Sequence, residues 1–419
     1  MRTVRYLGLW ALVVGCGSAP EPAVEAPTEP SPVASAPAEQ PAPAAGAPSV
    51  AWEVADREVR SPVAVPLSPE IQEARAALVD LVSKHARDPA NPWAVTHAIL
   101  ALGPDVELTN GQPAIDWLFS EYATVETVGE DSLIRFPSKR GSIRIEPHAD
   151  LVLKALTEAG VRPDRKVVVQ GKEMRVGDLY RGSLRRAWTD GDKTGASSFN
   201  DTPWTLQAVA TWAPSDLAWQ AVDGHAMTMD GYASDVTAKL HADSAFMRDA
   251  IAAGEIVQKR RQGIFSYTCG GAHLLQGAAY AVARGFGGPE SRSQIEQQMP
   301  VLYWRYGLEL NTVDQAMKMR PDYRLILTEQ KLKFIGHFLE SGHKIAAMGL
   351  ASPQEAQPNL DKAMADLVVV VGQLSAGGIL ERVGELKPSQ EQLYLDFVGD
   401  SAHAVRGIDM ATGVGVIRL

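Results

Sequence analysis

The residues best suited to do chemistry lie together in the segment 268–284, which the sequence predicts to be helical. Its polar residues are Cys269, His273, Gln276 and Tyr280. They are separated by four, three and four positions, so on a helix they form one polar stripe. The residues predicted on the other faces are Leu274, Leu275, Ala278, Ala281 and Val282. Because burying polar groups without partners costs free energy, we expect the stripe to line a cavity that contains water.

Zinc binding is the first chemistry open to this stripe. Cys269 and His273 lie four positions apart, so a thiolate and an imidazole share one helix face, as metal ligation requires. Asp201 or His148 would supply a further ligand. The sequence therefore leaves zinc as a possible cofactor, bound by Cys269 and His273.

Two other chemistries use the same region. In one, Cys269 at the start of a helix is a nucleophile, since a helix N-terminus stabilises a thiolate, and His273 is its base. In the other, the cavity binds a glycan or another polar polymer, with carboxylates as acid and base and tryptophans as stacking platforms. The carboxylates are Glu146, Asp201 and Asp230, and the tryptophans are Trp93 and Trp204.

A structural interpretation of these residues stays open beside the chemical ones. Cysteine is often a small buried apolar residue, and a lone histidine in a helix is often a core residue with its hydrogen bonds satisfied. Gly270 and Gly271 would then serve close packing, while Trp93 and Trp204 would be repeated core residues. The sequence alone does not separate an enzyme from a scaffold.

Helical periodicity recurs along most of the chain after residue 66. Ser68 is a capping hydroxyl followed by Pro69 at the first helical position, which is typical of a helix start. The predicted helices begin at 69 and then span 92–102, 147–160, 176–188, 203–212, 233–253, 268–284, 295–306, 324–341, 360–374 and 390–403. Extended segments are few: 166–170 and 174–176 predict a small β-hairpin, and 142–145 a short strand. The predicted fold class is mainly α.

The spacing of the helices predicts a repeated unit. Helix starts at 92, 147, 203, 268 and near 321 are separated by 55, 56, 65 and 53 residues, a period that fits helical hairpins stacked side by side. Equivalent helices would run in the same direction, so their N-terminal ends would meet at one rim where partial positive charge collects. That rim would gather Glu146, His148, Asp201 and Trp204 with Cys269.

This period, together with the segment Tyr267-Thr268-Cys269-Gly270-Gly271-Ala272-His273, resembles the α/α-toroid class. That class includes terpenoid cyclases, protein prenyltransferases, lanthionine cyclases and many polysaccharide hydrolases and lyases. The resemblance implies five or six helical hairpins closed into a ring, and the zinc interpretation resembles the Asp/Cys/His site of the prenyltransferases. The chain lacks the QW-type repeats of the cyclases and a two-cysteine zinc pattern, so an irregular or open helical bundle stays an alternative.

The N-terminus carries the features of an export signal. Arg2 and Arg5 precede a short apolar run, and a small residue stands directly before Cys16. The sequence Val13-Val14-Gly15-Cys16 resembles the lipobox of bacterial lipoproteins. This implies that residues 1–15 are a signal peptide and that Cys16 is lipidated, which would anchor the protein in a membrane. Since Gly17 rather than Asp follows, we expect the outer membrane; the alternative is an ordinary cleaved signal.

The composition divides the rest of the chain into a tether and a folded part. Residues 16–65 are rich in Pro and Ala, which predicts a disordered tether, and residues 66–419 would form a single helical domain. Cys269 would remain as the one cysteine after lipidation of Cys16, so no intramolecular disulfide is expected. The net charge of -10 at pH 7 argues against nucleic acid as a partner.

These features predict an outer-membrane-anchored lipoprotein with a polar cavity in a helical domain. The cavity would bind or process a polar or glycan substrate of the cell envelope or cell surface. A non-catalytic structural or binding scaffold is the alternative. The oligomeric state and the substrate are beyond what the residues indicate.

Overall fold

The computed structural model describes residues 46–54, 57–190, 193–194, 201–257 and 263–419. The predicted signal peptide and Cys16 lie outside the described residues. The α-helices are α1 Pro69–His85, α2 Pro92–Leu102, α3 Ala114–Tyr122, α4 Leu151–Glu158, α5 Val176–Arg186, α6 Thr202–Trp212, α7 Met229–Asp243, α8 Ala245–Ala253, α9 Ala272–Ala283, α10 Gly288–Glu296, α11 Gln298–Met319, α12 Arg324–Ala347, α13 Pro353–Ala376, α14 Ile379–Arg382 and α15 Glu391–Thr412. The described chain is therefore mainly α, as the sequence predicts.

The strands of the described residues form short antiparallel pairs. The pairs are β1 Glu58–Val59 with β12 Ile417–Arg418, β2 Thr124–Val128 with β3 Asp131–Arg135, β4 Lys139–Arg140 with β5 Ile143–Arg144, β6 Lys166–Val169 with β7 Lys172–Arg175, β8 Thr189–Asp190 with β9 Lys193–Thr194, and β10 Ala218–Gln220 with β11 Ala226–Thr228. The β6–β7 hairpin and the strand β5 confirm two predictions. The other pairs were not predicted, because most of their strands are too short to show a repeating pattern.

Local capping fixes the starts of the first two helices where the sequence predicts them. The side chain of Ser68 accepts a hydrogen bond from the backbone N–H of Ile71, and that of Asn91 accepts one from Ala94. Both helices have proline at their first position, where its missing N–H is not needed. The predicted apolar face of α1 is buried.

Several predicted helices are wrong in their bounds. The helix expected from residue 147 begins at Leu151, and the one expected over 233–253 breaks at Ser244. The region 295–306 spans the end of α10 and the first part of α11. The segment 268–271 is a turn with a left-handed backbone at Cys269 and Gly270, and α9 begins at Ala272. The sequence also missed α3.

Six helices contact one another in chain order. The contacts run from α2 to α4, α6, α9, α12 and α15, and α15 in turn contacts α2. The α12–α15 contact is close, since a Cβ on Gly336 or Gly407 would lie 3.1 Å or less from atoms of the facing helix. The remaining helices contact these six or each other: α1 contacts α15 and α13, α7 contacts α9, and α11 contacts α12.

The side chains between these six helices form two layers. One layer consists of aromatic rings, with His148, Trp204, His273, His337 and His403 in mutual contact. The other is ionic, with contacts among Glu158, Gln276, Lys344 and Arg406. The aromatic residue always comes first in the chain: His148 precedes Glu158, His273 precedes Gln276, His337 precedes Lys344, and His403 precedes Arg406. The helices α4, α9, α12 and α15, on or next to which these residues lie, therefore run in the same direction.

The folded part begins earlier than the predicted boundary at residue 66. Trp52 packs against Tyr180 with ring centroids 5.1 Å apart, and the backbone N–H of Glu53 donates to Trp212 O. Further along, β1 pairs with β12, and Val63 is buried. The predicted disordered tether is therefore corrected for residues 46–54 and 57–65, in which Trp52 and Val59 pack against the core and Val63 is buried.

Among the described residues, no single helix is long and apolar enough to cross a membrane. The segments Pro353–Ala376 and Ile379–Leu386, bent by 64° relative to each other, meet that criterion as a pair.

Candidate metal centre

Five histidines converge in the aromatic layer. They are His97 on α2, His148 just before α4, His273 on α9, His337 on α12 and His403 on α15. The ring of His273 lies 5.1 Å from that of His337 and 5.5 Å from that of His403, and the rings of His337 and His403 are 4.1 Å apart. All five are buried. Such a concentration of imidazoles needs a reason, because a buried nitrogen without a partner costs free energy.

A left-handed turn places Cys269 beside these rings. Cys269, Gly270 and Gly271 have φ values of 50°, 60° and 80°, so three consecutive residues occupy a region that L-residues with a side chain rarely adopt. The predicted stripe is therefore corrected: Cys269 is not on α9 with His273, Gln276 and Tyr280, but on the turn that precedes the helix. The turn still brings Cys269 and His273 together.

Cys269, His273 and His337 form a group of potential metal ligands. Cys269 Sγ and one ring nitrogen from each histidine all lie within 4.8 Å of one another. The third member is His337 rather than Asp201 or His148, from which the sequence predicted a further ligand. A thiolate and two neutral imidazoles suit zinc, which needs three protein ligands in a catalytic site and four in a structural one.

The environment keeps His273 in the form that binds a metal. Burial, followed by the neighbouring His337 and Lys154, holds the pKa of His273 well below its ordinary value, so its imidazole is neutral at pH 7. Nδ1 of His273 is buried and has no hydrogen-bond partner among the described residues. On the far side of His337, Asp400 Oδ1 lies 3.6 Å from Nε2, as the outer-shell carboxylate of a metal-ligating histidine often does. These features fit a metal ion.

A second group, formed by His337, Glu340 and His403, also has ligand atoms within 4.8 Å of one another. Its carboxylate already has partners: Nδ1 of His403 donates to Glu340 Oε2 at 2.7 Å, and Lys344 Nζ donates to Glu340 Oε1 at 2.5 Å. Burial alone would raise the pKa of Glu340, but Lys344 and His403 hold it well below its ordinary value. The carboxylate is therefore balanced without a metal, which favours the group around Cys269.

Two cavities flank the Cys269 group. One, of about 60 Å³, is lined by Cys269, His337, Lys333 and Ser341 together with apolar side chains such as Phe338. The other, of about 30 Å³, is lined by His273 and further residues, among them Trp93, His97, His148, Trp204, Asp396, Asp400 and His403. Both have room for water. Water can therefore occupy space next to Cys269 and His337 in the first cavity and next to His273 in the second.

Hydrogen bonds fix three rings of the second cavity. Nδ1 of His97 donates to the carbonyl of Trp93 at 2.8 Å, Nδ1 of His148 to Asp201 at 2.9 Å, and Nδ1 of His403 to Glu340. Each partner atom is an oxygen that accepts, so a neutral ring must carry its one hydrogen on Nδ1. Nε2 of each neutral ring then has a lone pair. Burial lowers the pKa of His97 to about 3 and that of His403 to about 4. At least these two rings are neutral acceptors at pH 7.

No family model, curated protein or solved structure matches this chain. A function can therefore be argued only from the residues of the site.

Several of the sequence-predicted residues have other surroundings. Glu146 is buried and accepts a hydrogen bond from the backbone N–H of Val152. Trp204 is 2% exposed, stacks on His148 and packs at an angle against His273, so it has no open face for a sugar ring. Asp230 accepts from the backbone N–H of Gly287, at the start of α10. The glycan interpretation therefore loses Trp204 as a stacking platform.

Gln276 and Tyr280 face the ionic layer. Gln276 donates to Ser341 Oγ at 2.8 Å and accepts from Lys344 Nζ at 3.2 Å. Burial, followed by the nearby Glu158, raises the pKa of Tyr280 well above its ordinary value, so its hydroxyl is not a proton donor near neutral pH. Both residues hold the packing of α9 in place.

Sequence reasoning missed His337 and His403. His337 and His343 are six positions apart and cannot share a helix face; His343 bonds Ser61 instead. The ring partners of His337 are 64 and 66 residues away in sequence. Their sequence signal is limited to histidines on two long helices, α12 and α15.

Proposed function

We propose that this protein binds a zinc ion, or a similar transition metal, through Cys269, His273 and His337. The observation that carries the proposal is the mutual approach of the three ligand atoms to within 4.8 Å. Ligand atoms of a tetrahedral zinc site lie at about 2.0–2.3 Å from the metal, so a small contraction of the group completes the site. Neutral imidazole and thiolate are the ligands that zinc prefers among protein side chains.

The cavity beside the group supports catalysis rather than a purely structural metal. Three protein ligands would leave a position open toward the 60 Å³ cavity, an arrangement typical of catalytic zinc. A metal there supplies Lewis-acid activation of water or of a substrate carbonyl or phosphoryl group. Lys333 and Ser341, which line the same cavity, are placed to contact the substrate. The reaction class is metal-assisted hydrolysis of a small polar substrate.

The domain that carries this site is proposed to be an α/α toroid. The cyclic order of contacts among six helices supports this, as does the common direction of α4, α9, α12 and α15. In a closed ring, the N-terminal ends and inner faces of the inside helices meet at the axis. That geometry explains why histidines far apart in sequence reach one point.

The proposed location is the cell envelope. The lipobox-like sequence Val13-Cys16 supports a lipid anchor at Cys16, and Gly17 supports the outer membrane. A substrate of the envelope or cell surface follows from that location. A scaffold without catalysis remains the other possible role of the same anchored domain.

A second chemistry is favoured by one observation. Cys269 has φ 50°, and a strained backbone at a reactive side chain is common in active sites. With His273 within 4.8 Å of Sγ, the pair would also serve as nucleophile and base, with His273 accepting the thiol proton as sulfur attacks a carbonyl. The two chemistries can be distinguished by the metal content of the protein and by the reactivity of the Cys269 thiol.

Metal analysis of the purified protein tests the proposal. We expect one zinc per chain. Cys269→Ser and His337→Gln should each raise the Kd for zinc. The increase should exceed ~10–100-fold, which is the cost of losing a residue that only hydrogen-bonds a metal ligand. His97→Gln is the matched control, because it removes a buried histidine of the adjacent cavity that is not a proposed ligand, and it should retain the metal.

Two results would contradict zinc binding. One is a protein that stays free of metal after zinc is supplied, and the other is retention of zinc by the Cys269→Ser variant. If the protein stays free of metal, the reactivity of Cys269 is the next measurement. Rapid alkylation of Cys269 by iodoacetamide, slowed in a His273→Gln variant, would support Cys269 as a nucleophile with His273 as its base.

A further inference from the structure

The turn that carries Cys269 needs a partner to hold it. A non-glycine residue in the left-handed region costs roughly 1–3 kcal/mol, and Cys269 is followed by two glycines with positive φ. If Cys269 relaxed to the right-handed region, its side chain would leave the position next to His273 and His337. Something outside the turn must therefore stabilise the observed conformation.

Arg305 on α11 makes the contact that fits this role. Its Nη1 donates to the carbonyl of Gly270 at 2.8 Å, and its Nε and Nη2 both donate to Glu309 Oε1, at 3.0 and 2.7 Å. Glu309 is one helical turn further along α11, so it fixes the guanidinium plane. The guanidinium also lies over the ring of Phe265, 5.1 Å from its centroid.

The space around the turn shows how closely these groups fit. A Cβ on Gly270 would lie 2.5 Å from Arg305 Nη2, and a Cβ on Gly271 would lie 2.3 Å from a side-chain carbon of Ile264. The turn is thus enclosed by Arg305 on one side and Ile264 on the other. Both glycines are required by this enclosure as well as by their φ values.

We infer that Arg305 is a positioning residue that holds Cys269 in the left-handed conformation in which its sulfur can bind the metal. The inference rests on the proposed metal site. Arg305 itself is not a ligand: its guanidinium is engaged by Gly270 and Glu309. Its effect on the metal passes through the backbone of the turn, and a lysine cannot replace it, because a single ammonium nitrogen lacks the planar fork with which the guanidinium reaches both acceptors at once.

Cobalt substitution tests this inference with a signal that is specific to the cysteine. In the wild-type protein loaded with Co²⁺, we expect a thiolate-to-cobalt charge-transfer band in the near ultraviolet and d–d bands in the visible. In Arg305→Lys, the charge-transfer band should fall to less than half and the Kd for Co²⁺ should rise at least tenfold. The d–d bands should persist at saturating Co²⁺, because His273 and His337 remain in place.

Arg320→Lys is the matched control. Arg320, at the end of α11, pairs with Asp322 on the surface, so the charge-transfer band of this variant should stay above three quarters of the wild-type value. Thermal unfolding of each variant shows whether it is folded. If Arg305→Lys does not fold, Gly270→Ala disturbs the same contact from the other side and should give the same loss.

The outcomes separate the two proposals. A wild-type protein without a charge-transfer band overturns the metal site itself. A wild-type band that persists unchanged in folded Arg305→Lys and Gly270→Ala overturns the role of Arg305 and leaves the metal site standing.

Discussion

At the scale of single residues, burial decides protonation more than sequence context does. Glu146 is buried beside Asp150, and burial followed by that like charge raises its pKa to about 8. Arg186 lies near enough to oppose the shift only in part. The same burial keeps His97 and His403 neutral. Glu146, which the sequence offers as a catalytic acid or base, is instead a protonated carboxyl group at neutral pH that accepts a hydrogen bond from the first turn of α4.

Glu146→Gln should change how stability depends on pH. Glu146 is protonated in the folded protein up to about pH 8 but ionised above about pH 4.5 when unfolded. The unfolded state therefore binds fewer protons between these values, and wild-type stability falls as pH rises through this window, by at most about 1.4 kcal/mol per pH unit from this group. Glutamine keeps the acceptor for the backbone N–H of Val152 and cannot ionise.

We expect the variant to be close to wild type at pH 5 and more stable than wild type at pH 8, with no further divergence above that pH. Urea unfolding at pH 5, 6.5, 8 and 9 measures the difference. A difference that is constant across the series would contradict the raised pKa.

At the scale of elements, an ionic cluster ties helices that are distant in sequence. Lys344 Nζ on α12 lies 2.7 Å from Glu158 Oε1 on α4 and 2.5 Å from Glu340 Oε1 on its own helix. Lys154 and Arg406 also lie near Glu158. All of these side chains are almost fully buried. Buried ion pairs add little net stability but are costly to break from one side.

Lys344→Met should destabilise the protein by about 3 kcal/mol, because it leaves Glu158 and Glu340 buried with one cation fewer. Chemical denaturation measures the free energy of unfolding. Lys362→Met is the control: its partner Asp366 is four residues away on the exposed side of α13, and loss of such a surface pair costs about 0.5 kcal/mol or less. Equal changes in the free energy of unfolding for the two substitutions would contradict the stabilising role of Lys344 in the buried cluster.

At the scale of the whole molecule, the N-terminal segment joins the proposed anchor to the helices. Residues 46–54 dock beside α5 and α6, with the Arg181 Nε donating to Pro48 O and Arg284 pairing with Glu53. The strand β1 then pairs with β12 at the other end of the chain. A lipid at Cys16 would therefore lie 32 residues before Pro48, the first residue with a contact in the described part of the chain.

Lipidation of Cys16 is testable with a matched control in the same chain. When the protein is expressed in a Gram-negative host supplied with labelled palmitate, it should incorporate the label and sediment with membranes. Cys16→Ser should lose both properties, since one position carries both acyl chains and the new N-terminus. Cys269→Ser should keep both. Label retained by Cys16→Ser would contradict the lipobox interpretation.

Local signals determined much of the fold from the sequence alone. The capping residues Ser68 and Asn91 and the prolines after them set the first helices, because caps and proline geometry act within a few residues of chain. The hairpin at 166–175 was readable for the same reason. By contrast, Cys269 leaves the predicted helix because of two glycines and the contact with Arg305, which is 36 residues away.

The same division holds for the candidate site. Cys269 and His273 could be selected from sequence because they are four residues apart on a predicted helix. His337 and His403 could not, because their nearness to His273 depends on how α9, α12 and α15 pack. Sequence spacing reports contacts within one element, whereas contacts between elements depend on packing and burial that no local pattern encodes. The chemistry proposed for this protein depends on those contacts.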